Sequence, residues 1–460
     1  MFKTLIFWRI SNIQSSRARA STSLLYQVYK LISYLVAVVA FPLFFIYSVI
    51  SGKHQTGLKE RLGFFAPVPE SREKLPRIWL HAASVGEVQV ARALIDELRR
   101  ALPNATLILS TMTEQGQQVA RRQLGNEVRC IFAPLDLPII VRQAVKKLRP
   151  SVYICLETEL WPNLLTRLKT ENIPALLLNG RLSERSFNRY RLAPHFMARL
   201  LDCFTRIATI RQEDAYRYVA IGAERQRVTV LGNAKYDLHI DTTPETAGRY
   251  RSMLQLTQDQ PLLVAGSTHG NEETLLIETF RRVRKALPGL ILVIAPRHLE
   301  RIEEIETAYL AQGLTLDRLS RCKEKGRTAD IVLVDSMGEL TGLYGAASYI
   351  FCGGSLVNRG GHNLMEAAIW GVPVCYGPFM KDFLDAKELL EKAQTGFMIN
   401  SPTELAATII GFAEKPEQYA QAGQRARQTA LAQQGSAAKQ VQLIMEILTQ
   451  RKENGSPASA

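Results

Sequence analysis

The chain has 460 residues, of which 47% are apolar and 22% are charged, and this ordinary globular composition excludes a disordered or fibrous protein. Because single hydrophobic cores rarely grow beyond about 250–300 residues, the length predicts at least two domains. The 57 lysines and arginines outnumber the 43 acidic residues and give a net charge of +14, which favours an anionic partner such as a nucleotide, a phosphate, a lipid headgroup or a nucleic acid.

The first predicted element is a membrane anchor. Residues 31–49 read LISYLVAVVAFPLFFIYSV and carry no charge, and their number is close to the roughly 20 residues with which a helix crosses a bilayer core. Basic residues flank both sides, so the positive-inside rule fixes no orientation, and Pro42 would kink the helix. We expect residues 1–50 to form an extension and an anchor that spans the bilayer or lies in one leaflet. The alternative is a buried core helix.

Short apolar strands alternate with helical patterns from residue 77 onward. The predicted strands lie at 77–81, 106–110, 127–132, 151–156, 175–179, 206–210 and 228–231, and the predicted helices lie at 87–102, 114–124, 138–148 and 164–170. This alternation is typical of parallel βαβ units with helices on both faces of the sheet. Ligands bind such sheets beyond the carboxyl ends of the strands. The first α/β domain is therefore predicted to cover residues 51–240.

The same pattern restarts after a polar linker at 236–260. Further strands are predicted at 261–265, 290–295, 331–334, 348–352 and 372–376. We expect a second α/β domain at 241–450 and a flexible tail at 451–460. The predicted fold class is α/β, with two Rossmann-like domains facing across a cleft, which is a common place for a small-molecule site.

A serine and a glutamate follow the first predicted strand. Ser84 and Glu87 have the S-x-x-E spacing of a capping box, in which both side chains only satisfy backbone N–H groups. Thr111 and Glu114 repeat this spacing after the next strand. Alternatively, Glu87 faces the cleft from the carboxyl edge of the sheet and deprotonates a hydroxyl group.

A second acidic motif and a basic stretch also follow strands of the first domain. Glu157 and Glu159 could bind hydroxyls, an ammonium group or a metal, or they could form a solvated pair. Residues 180–191 carry four arginines, among them Arg181 and Arg185. They could bind the phosphates of an anionic lipid or of a nucleic acid, and a solvated helix face is the alternative.

Features that bind anions concentrate in the second domain. Residues 360–363 read GGHN and open a predicted helix at 364–370, where glycines allow close backbone approach and free N–H groups can face an anion. Asn363 can cap this helix, and Glu366 lies one turn further, where it can accept hydrogen bonds from a ribose. The alternative is a simple turn and cap. Arg297 directly follows a strand and is either an anion clamp or a surface arginine.

Several reaction types lack their sequence signatures. The chain has no P-loop, no dinucleotide fingerprint, no HExxH, no G-x-S-x-G elbow and no DxD. Its six cysteines are widely spaced and form no CxxC, which argues against a disulfide scaffold or a structural zinc. We therefore expect a mechanism without a metal or a cofactor.

Together these motifs resemble the 3-deoxy-D-manno-octulosonic acid (Kdo) transferases of lipopolysaccharide synthesis, which have the glycosyltransferase-B fold. The resembling stretches are HAASVGE (81–87), LSTMTEQG (109–116), ETELWPN (157–163), NGRLSERS (179–186), GSTHGNEE (266–273), APRH (295–298), DSMGEL (335–340), FCGGS (351–355) and GGHNLMEAA (360–368). They follow one another in order over nearly all of the chain after residue 50.

The resemblance implies a donor, an acceptor and a set of site residues. The donor would be CMP-Kdo, the acceptor a lipid A precursor, and Glu87 the general base of an inverting displacement. The implied CMP-binding residues are Pro296, Arg297, Met337, Gly338, Glu339, Asn363, Leu364, Met365 and Glu366. Candidate phosphate contacts are Ser267, Gly361 and His362, and candidate acceptor-binding or helper residues are Ser84, Glu157, Glu159, Arg181 and Arg185.

The resemblance also implies a place in the cell and leaves two alternatives. We expect the enzyme to contact lipids of the inner membrane, with its catalytic domains on the cytoplasmic face, and we expect no nucleic-acid partner. The alternatives are a nucleotide-sugar epimerase of the same fold and a membrane-tethered nucleotide-binding protein without chemistry, in which Glu87 only caps a helix.

Overall fold

The computed structural model of the chain describes residues 27–29, 31–35, 38, 56–66, 75–125, 127–237 and 240–455. It forms two compact units. The first consists of Met1–Asp237 together with Gly435–Ala460, and the second of Leu238–Gln434. Each unit contains a seven-stranded sheet, and its strands pair in parallel, as the alternating pattern predicted.

The first unit is a parallel sheet with helices between its strands. In chain order the elements are α1 (Leu58–Arg61), β1 (Arg77–Ala82), α2 (Val85–Ala101), β2 (Thr106–Thr111), α3 (Glu114–Leu124), β3 (Arg129–Phe132), α4 (Pro138–Leu148), β4 (Val152–Leu156), α5 (Pro162–Thr170), β5 (Ala175–Gly180), α6 (Glu184–Tyr190), α7 (Pro194–Leu201), β6 (Arg206–Thr209), α8 (Gln212–Ala220) and β7 (Val228–Val230). The strand order is β3-β2-β1-β4-β5-β6-β7.

Two apolar cores cover the two faces of this sheet. Trp79, Tyr153 and Cys155 belong to one core, and Ile78, Leu80 and Ile154 belong to the other. Alternate residues of β1 and β4 therefore point to opposite faces. Both faces are buried because the connections between parallel strands place helices on each side.

The second unit repeats this architecture. Its elements are α9 (Pro244–Met253), β8 (Leu262–Thr268), α10 (Glu272–Ala286), β9 (Ile291–Pro296), α11 (Ile302–Leu310), β10 (Asp317–Arg318), α12 (Leu319–Lys325), β11 (Ile331–Leu333), α13 (Leu340–Ala346), β12 (Tyr349–Cys352), α14 (Met365–Ala368), β13 (Val374–Tyr376), α15 (Leu384–Lys392), β14 (Gly396–Met398), α16 (Pro402–Glu414) and α17 (Pro416–Ala432). The strand order is β10-β11-β9-β8-β12-β13-β14. The two edge strands, β10 and β14, were not predicted, because runs of two and three residues carry almost no periodic signal.

The last helix does not belong to the second domain, as the predicted boundary at residue 450 implied. Helix α18 (Ser436–Gly455) packs on α2 and buries Val441, Ile444 and Ile447 in the core of the first unit. The Asp237 carboxylate accepts a hydrogen bond from the Gly435 N–H at 2.6 Å and another from the Ala437 N–H, which fixes the start of the helix. Residues 451–455, which were predicted to belong to a flexible tail, continue this helix.

The predicted anchor lies mostly outside the described residues. Within it, only residues 31–35 and 38 are described, and residues 31–35 are helical. Among the residues that the structure describes, no helix has both the length and the apolar character that crossing a bilayer requires.

Candidate active site

Glu87 lies in the first turn of α2, directly after the end of β1. Ser84 is the N-cap of this helix, and its Oγ accepts a hydrogen bond from the Glu87 N–H at 3.4 Å. The Ser84 hydroxyl donates to Glu87 Oε1 at 3.0 Å, and the Ala83 N–H donates to Glu87 Oε2 at 2.7 Å. The capping geometry is therefore present, and it also fixes both oxygens of the carboxylate at the carboxyl edge of the sheet.

The electrostatic environment of Glu87 is unusual for a capping residue. Its side chain is buried, and burial raises the pKa of its carboxyl group to about 8, with a further contribution from the charge of Glu157. The hydrogen bonds from Ala83 and Ser84 act in the opposite direction but do not outweigh burial. A carboxyl group with a pKa near the working pH can take up a proton efficiently, as a general base must.

The second predicted capping box does not form. Thr113, not Thr111, is the N-cap of α3, and its hydroxyl accepts a hydrogen bond from the Gly116 N–H at 3.0 Å. Thr111 instead ends β2 and donates to Gln117 Oε1 at 2.6 Å. Because β2 extends to Thr111, one residue further than predicted, Thr111 is part of the strand and the N-cap position falls on Thr113.

Glu157 forms an ion pair that the sequence did not predict. Its Oε1 lies 2.7 Å from Lys235 Nζ, and both side chains are largely buried. Glu157 has a φ of 55°, so the chain is not extended there and the two carboxylates of the 157–159 motif do not point the same way along a strand. A Cβ atom built on Gly86 would lie 3.7 Å from Lys235 Nζ, which places the ammonium group beside the residue preceding Glu87.

Lys235 was missed because its sequence signal is weak. It follows β7, the last strand of the first sheet, and therefore lies at the edge where ligands bind in such folds. A lone lysine in the short stretch GNAK carries no motif, and it lies directly before the linker that was predicted to begin at residue 236.

Glu159 lies two residues beyond Glu157 but has a different environment. Burial raises the pKa of its carboxyl group, and the neighbouring charge of Glu157 raises it further. Its backbone oxygen accepts a hydrogen bond from Cys155 Sγ at 2.8 Å. Among the residues that the structure describes, no group of three or more histidines, cysteines, aspartates and glutamates is arranged to hold a metal ion.

The basic stretch forms a turn and a short helix at the same edge of the first sheet. Arg181 directly follows β5, and Arg185 is exposed in α6, which begins after the N-cap Ser183. Further along, the guanidinium group of Arg191 lies 5.4 Å from the ring centre of Phe187. Both predicted acceptor-binding arginines are thus accessible from solvent, Arg181 only in part.

In the second unit, the predicted donor residues lie at the carboxyl ends of β9, β11 and β12. Pro296 ends β9, and exposed Arg297 follows it. Asn363 Nδ2 donates to Glu366 Oε1 at 3.1 Å, while Asn363 Oδ1 accepts from the Met365 N–H at 3.1 Å. Burial raises the pKa of the Glu366 carboxyl group, and the Asn363 hydrogen bond and the charge of Arg297 partly offset this effect.

The helix after GGHN is shorter than predicted. It spans Met365–Ala368, so a helix dipole can contribute little to the binding of an anion there. Gly360 and Gly361 both have positive φ, and a Cβ atom on Gly361 would lie 2.2 Å from Met380 Sδ. The tight turn therefore requires glycine, and Leu364 and Met365 are buried beneath it.

The two other candidate phosphate contacts are Ser267, near the end of β8, and His362, in the loop after β12. His269 Nε2 and His362 Nε2 form a hydrogen bond of 3.0 Å between the loops, and burial lowers the pKa of both imidazoles, to about 4 for His269 and about 3 for His362. Buried Glu272 joins the same loops by accepting from the N–H groups of His269 and Gly354 at 2.9 and 2.6 Å. Ser267 lies beside them with a φ of 54°.

The remaining donor motif, residues 337–339, lies before α13. Met337 is exposed, and Gly338 has a φ of 91°. Glu339 Oε2 accepts from Tyr250 Oη at 2.7 Å, and its Oε1 lies 2.5 Å from Lys323 Nζ. Burial would raise the pKa of Glu339, but these two partners hold it below the ordinary value of a glutamate. The carboxylate is therefore ionised and fixed.

Comparison with known proteins identifies similar sequences. A family model described as 3-deoxy-D-manno-octulosonic-acid transferase (kdotransferase) matches residues 56–238. The 3-deoxy-D-manno-octulosonic acid transferase of Haemophilus influenzae is 33% identical over 365 residues, which cover 78% of this chain and 83% of the relative. The enzyme of the same name from Chlamydophila psittaci is 30% identical, over 81% of this chain and 84% of the relative.

Solved structures with the same fold include glycosyltransferases and an epimerase. A glycosyltransferase from Rickettsia africae has a TM-score of 0.55 and 14% identity, with coverage of 82% of this chain and 99% of that chain. A UDP-GlcNAc 2-epimerase from Neisseria meningitidis bound to UDP-GlcNAc also has a TM-score of 0.55 and 14% identity, over 81% of this chain and all of that chain. At this identity these similarities show the glycosyltransferase-B type of fold and nothing about the reaction.

Proposed function

The chain belongs to the Kdo transferase family of glycosyltransferases, and we propose that it transfers Kdo from CMP-Kdo to a lipid A precursor of the lipid IVA type. We further propose that the reaction inverts the anomeric centre, needs no metal or cofactor, and uses Glu87 as the general base. The observation that carries this proposal is the Glu87 carboxylate, which is fixed at the edge of the first sheet and has a pKa of about 8.

Glu87 supplies the base that a single displacement requires. The acceptor's sugar hydroxyl loses its proton to a Glu87 oxygen while its own oxygen forms a bond to the anomeric carbon of Kdo. The bond between that carbon and the phosphate oxygen breaks at the same time, and CMP leaves with the electron pair. Because attack and departure occur on opposite faces, the β-linked donor gives an α-linked product.

Lys235 and Glu157 support this step from beside the base. The Lys235 ammonium group pairs with Glu157, so the negative charge that raises the pKa of Glu87 is partly balanced. A fixed cation there can also stabilise charge that develops on the reacting oxygens. Glu159, two residues further along the same loop, is the second helper candidate.

The second unit supplies the proposed donor site. Arg297 is exposed at the end of β9 and provides the charge that binds a phosphate. Glu366 and Asn363 offer hydrogen-bonding groups for the ribose hydroxyls, and residues 337–339 complete the CMP site. Ser267, Gly361 and His362 are proposed phosphate contacts, which act through hydrogen bonds because the His362 imidazole is neutral at physiological pH. The phosphate is thus stabilised by Arg297 and by N–H donors.

The acceptor is proposed to reach the first unit from a membrane surface. Arg181 and Arg185 provide positive charge for the phosphates of a lipid A precursor. Basic groups near an anionic bilayer each contribute about 1 kcal/mol of binding free energy. We accordingly place the enzyme at the inner membrane, with its catalytic domains on the cytoplasmic face where CMP-activated sugars are made.

One assay tests this function against its alternatives. Purified protein is incubated with CMP-Kdo, with and without a defined lipid IVA acceptor, and released CMP and the product mass are measured. We expect release of CMP that depends on the acceptor and a product heavier by whole Kdo units. Turnover without an acceptor would indicate an epimerase or hydrolase, and binding of CMP without turnover would indicate a protein that does not catalyse the reaction.

A further inference from the structure

The described N-terminal residues are bonded to the first unit at two points. We call residues 27–29 and 31–35 the N-terminal segment; all of them are helical. Tyr29 Oη donates a hydrogen bond to Asp136 Oδ2 at 3.0 Å, and the Tyr29 ring lies 6.2 Å from that of Phe196. Ser33 is 6% exposed, and its Oγ accepts from Asn163 Nδ2 at 3.2 Å. One face of the segment therefore docks through polar groups that fit specific partners.

Asp136 performs a second task in the same place. Helix α5 has Trp161 at its N-cap position, and no side-chain oxygen of that residue satisfies the first N–H groups. The Asp136 carboxylate, which belongs to another loop, takes the place of a side-chain cap. Its Oδ2 accepts a hydrogen bond from the Asn163 N–H at 2.9 Å, and its Oδ1 accepts one from the Leu164 N–H at 2.8 Å. A carboxylate at this position satisfies two free donors and also stabilises the helix dipole.

Asn163 links the cap of α5 to the N-terminal segment through hydrogen bonds. Its Nδ2 donates to Ser33 Oγ and also to the Asp136 backbone oxygen, at 2.6 Å. Tyr29, Ser33, Asp136 and Asn163 thus form one hydrogen-bonded cluster at the start of α5, with contributions from three separate parts of the chain. Loss of one member leaves a partly buried partner without its bond, which carries a free-energy cost beyond that of the bond itself.

The start of α5 is also the end of the loop that carries the acidic motif. This loop runs from Glu157 to Trp161, and its ends are fixed by β4 and α5. Tyr218 Oη donates to the Glu157 backbone oxygen at 3.3 Å, and Cys155 Sγ donates to that of Glu159. A shift of the first turn of α5 would therefore move the loop, and with it the carboxylates whose charges add to the effect of burial on the pKa of Glu87.

We propose that the N-terminal segment is a positioning element of the acceptor side of the active site, which acts through Asp136 and Asn163 on the Glu157–Trp161 loop. This inference rests on the proposed function, since it assigns the segment a catalytic effect in addition to any role as a tether. Docked, the segment completes the cap of α5 and holds the loop in place. When the segment is released, Asp136 and Asn163 each lose one hydrogen-bond partner, and the Glu157–Trp161 loop becomes more mobile.

The segment offers a matched pair of substitutions. Tyr29→Phe removes only the hydroxyl that bonds Asp136 and keeps the ring that faces Phe196. Tyr34→Phe makes the same chemical change five residues later on a side chain that is 41% exposed. Ser33→Ala removes the second contact, with Asn163, and tests the cluster independently.

The decisive assay uses the full-length chain with detergent-dispersed lipid IVA, so that tethering to a bilayer plays no part. We expect Tyr29→Phe and Ser33→Ala each to lower kcat by about 10-fold, the effect of one hydrogen bond to a buried partner, while the KM for CMP-Kdo stays unchanged and both variants remain folded at the assay temperature. Tyr34→Phe should match the wild type. A loss seen only with vesicle-embedded acceptor, or wild-type kcat for both docking variants, would overturn the inference.

A second measurement does not depend on transfer activity. The amide hydrogens of Asn163 and Leu164 should exchange about 10-fold faster in Tyr29→Phe than in the wild type or in Tyr34→Phe, because their common acceptor is less firmly held. Unchanged exchange would show that the segment does not order the loop. If the wild type transfers no Kdo, the proposed function fails, and the exchange comparison still decides whether the segment positions the loop.

Discussion

Replacement of Glu87 by glutamine separates the two roles that this residue combines. Glutamine keeps an oxygen that can accept from the Ala83 N–H, and its amide group can donate to Ser84 Oγ, so the hydrogen bonds at the start of α2 can be kept. It cannot take up a proton. A residue that only caps the helix would therefore tolerate the change, whereas a general base would not.

The substitution should also stabilise the protein, with a pH dependence that follows from the raised pKa. The unfolded chain ionises Glu87 near the ordinary pKa of 4.5, but the folded protein resists ionisation up to about pH 8. Between pH 4.5 and about pH 8, unfolding therefore releases a proton from Glu87. Within this pH range, Glu87 destabilises the folded protein more strongly as the pH rises. At pH 7 the difference corresponds to about 3 kcal/mol, which Glu87→Gln removes.

Two assays report the two effects. We expect the turnover of Glu87→Gln to fall by roughly 10²–10⁴-fold, measured as CMP release in the presence of lipid acceptor, with CMP affinity unchanged in calorimetry. We expect its Tm to exceed that of the wild type at pH 8 by several degrees, at roughly 2–4 °C per kcal/mol for a domain of this size, and to equal it near pH 4.5.

The matched control is Thr113→Ala, which removes the side-chain cap of α3 and touches no proposed catalytic group. It should cost about 1 kcal/mol of stability and leave turnover unchanged. Retained activity in Glu87→Gln would show that Glu87 is only a capping residue and would refute the assignment of the base.

Further predictions concern pH, the ion pair, metal and the membrane. The kcat/KM of the wild type should rise with pH and level off above about pH 8, since Glu87 must lose a proton to act; a profile that is flat between pH 6 and 9 would contradict this. Lys235→Met leaves the Glu157 charge unpaired, so the rise should shift to higher pH and turnover should fall, by roughly 100-fold for the loss of a fixed stabilising charge; an unshifted profile would show that the pair does not influence the base. Activity should survive EDTA, and a loss that magnesium restores would point to Glu157 and Glu159 as a cation site. Deletion of residues 1–50 should abolish flotation with anionic vesicles while CMP binding persists, and an aggregated product would instead show that the apolar stretch belongs to a core.

Much of the fold followed from local patterns. The helices at 114–124 and 138–148 were predicted to the residue, and most predicted strands end within one or two residues of the observed ones. These elements show a clear hydrophobic periodicity and clear capping residues, and both signals come from residues that are neighbours in the sequence. The helix after GGHN was predicted too long, and β10 and β14 were missed, because such short elements exist only through pairing and packing with distant parts of the chain.

For the candidate site, too, some features could be predicted from the local sequence and others could not. The sequence by itself determined which residue types stand after which strands: Glu87 after β1, Glu157 after β4 and Arg297 after β9. It could not determine that Lys235 lies 2.7 Å from a carboxylate 78 residues away, nor that α18 returns to the first unit. Only the tertiary structure decided the pKa of Glu87, because burial and the charge of Glu157 are contributed by residues far along the chain. Helices and strands are encoded by local periodicity, whereas proton affinity depends on what the folded chain brings together.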